Sequence, residues 1–269
     1  VNALLAEQLG MVQKQVSAKH VAVGVKELIE LPRELLEARF SLTENEGAAW
    51  LFAGTPSNGL MGGGFLYTNG DSLSLGIVVG LSHIADAGKS VPQMLEDFKQ
   101  HPTVRPLIAG GKTVEYAAHV VPEAGINMQP KLVGNGVLIA GDAAGMCMNL
   151  GFTIRGMDMA IASGEAAARA VLQAKEANNF SEQGLNGYLT LLEELPVMKD
   201  LRHYRKVPAM LENPRMFTQY PQMVADIMAN VFTVNGQPPQ PIRKMVMRHC
   251  KKIGYLNLLK DGIKGVTAL

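Results

Sequence analysis

Cysteine is scarce in these 269 residues: Cys147 and Cys250 are the two present. They form no CxxC pair and no four-thiolate set, which excludes a protein-held iron–sulfur cluster and a disulfide framework and points to a reducing compartment. Charge is also scarce, at 18% Asp, Glu, Lys and Arg against roughly 25% in an average soluble domain. The formal net charge is +1, so no global basic field gathers nucleic acid. None of the six histidines falls in an HExxH or other ligand spacing, so all are read as structural or surface groups and no metal is expected. A long apolar run is missing as well. The longest uncharged stretch, Gly47–Gly70, holds seven glycines together with Pro56, Ser57, Asn58 and Asn69, residues that break helices, so no transmembrane segment is expected. Val1–Glu7 has no basic n-region and no sustained apolar core, and a cytoplasmic location is expected. No GxGxxG occurs. What is plentiful is apolar residue, 47% of the chain, which excludes disorder and supplies a sizeable core.

The pattern changes along the chain. Leu4, Leu5, Leu9 and Val12 recur at roughly helical spacing. Val21, Val23 and Val25 then alternate with small residues, predicting a strand, and Pro32–Phe40 reads as a short helix. Apolar runs at Ala48–Ala53, Leu60–Tyr67 and Leu73–Leu81, separated by turn-rich Thr55–Gly59 and Asn69–Asp71, predict a three-stranded antiparallel meander. Gly62-Gly63-Gly64 lies inside its second run. Such glycines mark either a bent sheet packed on a helix or a ligand contact. Ser90 caps a helix with Pro92 in its first turn, and Thr113–Val121 reads as a further strand. From Ala177 the pattern is mostly helical, broken by prolines.

The segment that bears chemistry begins at Val137-Leu138-Ile139-Ala140, which reads as a strand buried on both faces. It ends in Gly141-Asp142-Ala143-Ala144-Gly145. After a loop, Met146–Arg155, Gly156 opens a long small-residue helix, Met157–Ala174, kept slim by Ala160, Ser163, Gly164, Ala167 and Ala168. An aspartate at a strand's end accepts hydrogen bonds from sugar-alcohol hydroxyls. A helix N-terminus beyond a glycine offers free amides to an anionic ring. The plain alternative is that Asp142 caps the following turn.

This run resembles the second flavin-binding motif of glutathione-reductase-type FAD proteins, and most closely that of the FixC and electron-transfer-flavoprotein:quinone oxidoreductase family. The matching words are Gly141–Gly145, Gly156, Ser163–Ala167, the stretch Met146–Asp158, the meander word Gly59–Thr68 and the C-terminal Leu258–Gly265. The resemblance implies an α+β fold: an antiparallel-sheet substrate domain, the C-terminal part of an FAD-binding domain, and a helical C-terminal region. It divides the chain into 1–19 (remnant of the FAD domain), 20–125 (sheet, quinone side), 126–176 (second FAD motif) and 177–269 (helical). FAD is the implied cofactor. Asp142 would hold its ribityl or phosphate side within the Gly141, Ala143, Gly145 turn. The amides of Gly156 and Met157 would face the pyrimidine edge, with Phe152, Thr153 and Arg155 in the loop beside it. The flavin carries the redox chemistry, so no acid–base residues are expected.

The implied activity is a relay of electrons from an electron-transfer flavoprotein to a quinone, a separate ferredoxin-like protein, or both. Family members serve anaerobic carnitine metabolism or nitrogen fixation. Two further readings compete: a substrate- and partner-docking piece that binds no flavin, and a geranylgeranyl-reductase-like lipid enzyme sharing the motif. Val1-Asn2-Ala3 is similar to residues just after the family's Ala-Asp-Gly segment. With no GxGxxG present, the expectation is a piece lacking the pyrophosphate half of the site. Its apolar contact surface is then expected to be exposed along Val137–Ala140 and Met157–Ala174.

Cys147 reads as a buried small residue. Cys250 lies beside Arg248, Lys251 and Lys252, which favours a reactive thiolate only weakly. Met148, Met157 and Met159 read as core filler, Met157 taking its flavin role from the resemblance alone. From Arg243 to Leu269 the bases Arg243, Lys244, Arg248, Lys251, Lys252, Lys260 and Lys264 face one acid, Asp261. That run suits docking of an acidic ferredoxin, peripheral contact with an anionic inner membrane, or a solvated helix face.

Overall fold

The computed structural model describes residues 2–12, 17–238 and 240–269. They fall into two units, each discontinuous in sequence: Val1–Val21, Val121–Ala209 and Thr267–Leu269 form one, Ala22–Val120 and Met210–Val266 the other. Helix α1 (Asn2–Gln8) realises the first apolar repeat. Val1 and residues 13–16 of the expected 1–19 piece lie outside the described residues.

The second unit is built on a five-stranded sheet. Its valine-rich strand β1 (Val21–Glu30) is followed by helix α2 (Arg33–Phe40), and the expected meander is β2 (Ala49–Phe52), β3 (Gly62–Asn69) and β4 (Ser72–Gly80). After α3 (Val91–Lys99) and α4 (Arg105–Ile108), β5 (Lys112–Pro122) completes the sheet in the order β2-β3-β4-β1-β5. The β2–β3, β3–β4 and β4–β1 pairs are antiparallel, with Leu66 opposite Leu75 and Val25 opposite Ile77. Helix α3 starts as expected, the Ser90 hydroxyl accepting from the Gln93 amide at 3.3 Å. It sets Val91, Met94, Leu95 and Phe98 into a core with Leu66, Leu73, Leu75, Ile77 and Val79, the helical and strand periods meeting on one face.

The three glycines of β3 are explained within the chain. A Cβ on Gly62 would stand 1.9 Å from the Val78 carbonyl oxygen, and on Gly63 2.2 Å from that of Phe52. On Gly64 it would stand 2.6 Å from Phe98 Cζ. Two neighbouring strands and one ring of α3 occupy the space that side chains would need. The bent sheet against a helix accounts for them.

The first unit carries two small hairpins. β6 (Val133–Gly134) pairs with β7 (Val137–Leu138), and β8 (Met148–Asn149) with β9 (Ile154–Arg155). Two expectations change here. The run Val137–Ala140 is not a strand buried on both faces: only two residues are laddered, and both are half-buried, because β6 is the one described neighbour. The stretch Met146–Arg155 is not a plain loop but a hairpin turned at Gly151, whose φ of 84° suits glycine.

Helix α5 (Met157–Glu176) follows, then α6 (Glu182–Leu185), α7 (Gly187–Glu194), α8 (Pro196–His203) and α9 (Val207–Leu211). Met159, Ser163, Ala166, Ala170 and Ala174 form the buried seam of α5, and the last four are small residues that let α7 approach closely. Tyr188 of α7 is fully buried and donates to the Ile139 carbonyl at 2.9 Å, pinning the end of the β7 segment. Helices α10 (Gln219–Phe232), α11 (Ile242–Ile253) and α12 (Tyr255–Ala268) make up the helical C-terminal region, and Met210–Val266 groups with the sheet.

Candidate functional site

The Gly141–Ala144 turn is a single 3-10 turn closed by Gly145, with φ of 63° at Gly141 and 69° at Gly145, values that glycine adopts without strain. Both glycines also sit close to neighbours. A Cβ on Gly145 would stand 3.0 Å from the Gly125 carbonyl oxygen, and one on Gly141 would stand 3.7 Å from Ala160 Cβ. The turn is tied to α5 by Ser163, fully buried, whose hydroxyl accepts from the Gly141 amide at 3.0 Å and donates to the Ala160 carbonyl at 3.1 Å.

Asp142 is exposed, and no side-chain cap closes its turn. Its carboxylate makes no hydrogen bond or ion pair among the described residues, so the capping alternative does not describe it. Gly156 stands at the N-cap of α5, where no side chain caps the helix. The amides of the first turn are therefore left without intrahelical acceptors. A Cβ on Gly156 would meet only Cys147 Sγ at 3.7 Å and Asp142 Oδ1 at 4.0 Å, ordinary contacts. Asp142, Cys147 and Gly156 are thus brought together, with Ala143 half-buried between Asp142 and the buried Ala144.

Beside this corner the surface is apolar and open. Phe152 is 67% exposed and Met157 84%, with Ile154 and Ile161 also exposed. Met148 and Met159 are buried core, as expected, whereas Met157 points outward. Met157 and Ile161 are exposed along the start of α5, whereas Ile139 is buried. Thr153 closes the hairpin, its carbonyl accepting from the Leu150 amide at 2.9 Å. Arg155 is fully engaged within the chain. Its Nε and Nη2 donate to Asp158 at 2.9 and 2.6 Å, and Nη1 donates to Asp200 of α8 at 2.6 Å. These two carboxylates hold its pKa up and hold α5 to α8.

Cys147 is half-buried, and burial, with the Glu123 and Asp142 carboxylates nearby, pushes its thiol up to about 12. It is a packing group rather than a nucleophile. Sequence reasoning passed over three residues here: Ser163 as the anchor of Gly141, Asp200 as the partner of Arg155, and Glu123. Glu123 accepts from Asn149 Nδ2 at 3.0 Å. Burial raises its pKa, against the hydrogen bond that lowers it. A serine amid alanines on a helix seam was the one visible signal among them.

In the sheet unit, a cleft of about 370 Å³ lies between the end of β2 and α3. Phe52, Pro56, Met94 and Phe98 wall it, and Asn58, His101 and the Lys89–Asp97 pair (2.6 Å) form its rim. The chain's one tryptophan, Trp50, lies 6.3 Å from Phe52 between ring centroids. The five bases Arg243, Lys244, Arg248, Lys251 and Lys252 are all exposed on α11.

Two family models match the chain: ETF-QO, ubiquinone-binding, over residues 21–121, and the ETF-QO/FixC family C-terminal domain over 207–269. Over 269 residues, the whole chain, it is 68% identical to "Protein FixC" of Salmonella typhi and 64% identical to that of Escherichia coli K12. Over the same span it is 63% identical to "Probable electron transfer flavoprotein-quinone oxidoreductase YdiS" of Escherichia coli K12. It spans 62% of the length of each. Among solved structures, a geranylgeranyl bacteriochlorophyll reductase-like protein of Thermoplasma acidophilum superposes with a TM-score of 0.57 at 15% identity, over 93% of this chain and 58% of the other. At that identity the likeness is one of fold.

Proposed function

The chain belongs to the ETF-QO/FixC family, and from that premise we propose that it is part of a flavoprotein oxidoreductase that passes electrons from an electron-transfer flavoprotein to a quinone. FAD is the proposed cofactor, and supplies the electron-transfer chemistry when bound. The observation that carries the reading is the corner made by Asp142, Gly156 and the uncapped start of α5. An exposed carboxylate without a partner, free amides and a glycine whose missing Cβ would meet only ordinary contacts fit the polyol and the anionic edge of a flavin.

In this reading Asp142 accepts from the ribityl hydroxyls, and Ser163 keeps it in place by holding Gly141. The amides at Gly156 and Met157 would face the pyrimidine edge. Phe152, Ile154, Met157 and Ile161 exclude water from the same side. Arg155 acts through its clamp on Asp158 and Asp200 rather than as a ligand. Quinone is the proposed acceptor, ahead of a ferredoxin-like protein, because residues 21–121 match the ubiquinone-binding model. The cleft between β2 and α3 fits a quinone ring, with apolar walls and a hydrogen-bonding rim.

Two measurements test this. Flavin absorbance bands retained on the purified chain after incubation with FAD and desalting are the expected result, with retention lost in Asp142→Ala and Gly156→Val. A chain that stays colourless would leave it a docking domain without flavin. A short-chain quinone is expected to quench Trp50 fluorescence saturably, and unsaturable quenching would remove the cleft from the proposal.

A further inference from the structure

Glu123 is a half-buried acid of the first unit, and its carboxyl group has one hydrogen-bond partner among the described residues. It follows directly on β5, its own amide donating to the His20 carbonyl at 2.7 Å. Its side chain accepts from Asn149 Nδ2 at 3.0 Å, while Asn149 Oδ1 accepts from the Gly151 amide at 2.8 Å. The Asn149 amide is thus held at both ends, and its N–H is committed to Glu123. Asn149 belongs to β8, opposite Ile154 of β9. Cys147, just before β8, brings its sulfur beside Gly156, just after β9. One short hairpin therefore links the Glu123 carboxyl to the corner where Asp142 and the start of α5 meet.

Charge around that corner singles Glu123 out. The Cys147 thiol lies within the field of three carboxylates, Glu123, Asp142 and Asp158, and all three act on it in the same direction. Asp158 and Asp200 share the Arg155 guanidinium, at 2.6 Å each. Asp142 is exposed, so water carries its charge. Glu123 has neither remedy. Tyr204 and the exposed Arg205, just beyond α8, line the same small hollow without an ion pair or hydrogen bond to it, and His20 meets it through the backbone. Burial raises its pKa, against the Asn149 hydrogen bond that lowers it. Negative charge added at the Gly156 and Met157 amides meets a corner that is already anionic. The acid that neutralises there at least cost is the one with neither a cation nor open water beside it.

We propose that Glu123 is the protein's proton-linked partner of the flavin, taking a proton from solvent when the bound cofactor takes up electrons and releasing it when they leave. This rests on the flavin reading above and deepens it. Two electrons arrive from the electron-transfer flavoprotein, and the ring system takes one proton of its own. A second proton, from water, bonds to a Glu123 oxygen, and the carboxylate becomes a neutral carboxyl. Two protons then accompany two electrons, the complement that reduction of a quinone to its hydroquinone consumes. The coupling is reciprocal: electrons on the cofactor favour the proton at Glu123, and that proton favours the electrons. Asn149 can donate to Glu123 in either state, so the hairpin need not move. Glu123 acts through its charge and touches no reacting atom.

The experiment is a spectroscopic redox titration of the FAD-loaded chain from mildly acidic to mildly alkaline pH, for the parent and for Glu123→Gln, which keeps an oxygen for Asn149. The parent should show an interval of pH in which two protons accompany each electron pair, with one proton on either side of it. Glu123→Gln should show one throughout. Below the interval, where Glu123 is neutral in both redox states, the two potentials should run parallel. Above it, the parent's should lie further down, because ionised Glu123 opposes the electrons. Within the interval, the reduced-minus-oxidised infrared spectrum of the parent should gain a protonated-carboxyl band that shifts in heavy water and is missing from the variant. A parent with one proton throughout would overturn the proposal without recourse to any variant. So would a carboxyl band that survives Glu123→Gln, which would assign the proton to another acid, or potentials displaced equally at every pH, which would leave Glu123 a structural support. A chain that stays colourless with FAD removes the flavin reading itself, and the proposal with it. A coloured chain with unaltered proton stoichiometry removes the proposal alone.

Discussion

Replacing Gly64 by alanine puts a methyl group 2.6 Å from Cζ and 2.7 Å from Cε1 of Phe98, where ordinary contact begins at 3.4 Å. The ring must retreat by about 0.8 Å in a close-packed core. Phe98 is 4% exposed and is held edge-on by Phe52 at 5.1 Å, which leaves the cleft beside α3 as its way out and forfeits those contacts when it is taken. The cost falls in the overpacking range of about 1–3 kcal/mol. For a chain of this size that corresponds to a melting temperature lower by roughly 2–4 °C per kcal/mol. Phe98→Leu alone opens a void costing about 1–2 kcal/mol. In the double variant the new methyl takes part of that void, so the two costs should fall short of their sum by about 1 kcal/mol or more. Thermal and urea unfolding followed by circular dichroism read all three variants. Additivity within about 0.5 kcal/mol would refute the account of Gly64 as a packing glycine. So would a Gly64→Ala variant with unchanged stability and impaired quinone quenching of Trp50, which would return the position to a ligand.

Three further outcomes follow from the corner at Asp142. Ser163→Ala removes the acceptor of the Gly141 amide and should cost about 1–3 kcal/mol in urea unfolding, with FAD retention weakened although Ser163 is two turns from Gly156. A change under about 0.5 kcal/mol would mean the turn holds itself. Glu123, with a raised pKa in the fold, keeps its proton longer folded than unfolded. Stability should therefore decline as pH rises from the ordinary glutamate range through the raised folded value. Glu123→Gln should flatten that decline, and parallel profiles for parent and variant would contradict it. Finally, the Cys147 thiol, pushed up to about 12, should resist iodoacetamide at pH 8 in the folded chain and react once urea unfolds it. Peptide mass mapping checks this, and fast labelling in the native state would show the thiol is not shielded.

Strands β2, β3 and β4 stand within two residues of where the apolar runs and the Asn69–Asp71 turn put them, because hairpins are local and the turn residues act directly on the backbone. The same is true of α3, whose cap and first-turn proline are its own neighbours. What was not legible depends on distant partners. The place of β1 between β4 and β5 requires pairing across the meander, and no local pattern encodes it. The Val137–Ala140 run has the composition of a central strand, yet composition alone supplies no neighbours for a ladder. At the corner, Asp142 and Gly156 were readable because the motif places them by chain order. The engagement of Arg155 was not, since Asp200 lies 45 residues away. Nothing in a window around Gly62–Gly64 distinguishes a ligand from the carbonyls of Val78 and Phe52.

The sheet order also sets a timetable for synthesis. Strand β1 leaves the ribosome first, but its partners arrive much later. β4 begins at Ser72 and β5 at Lys112, while β1 ends at Glu30. At roughly 5–20 residues per second, the nascent strand waits several seconds for its first neighbour and about twice as long for its second. Its opening Val-Ala-Val-Gly-Val is the kind of unpaired edge that recruits other chains. Lys26 and Glu27 interrupt that run just where it would otherwise lengthen, and they later take up partners at Glu115 and Lys99. The pair that guards the nascent strand is thus reused to fasten the finished sheet.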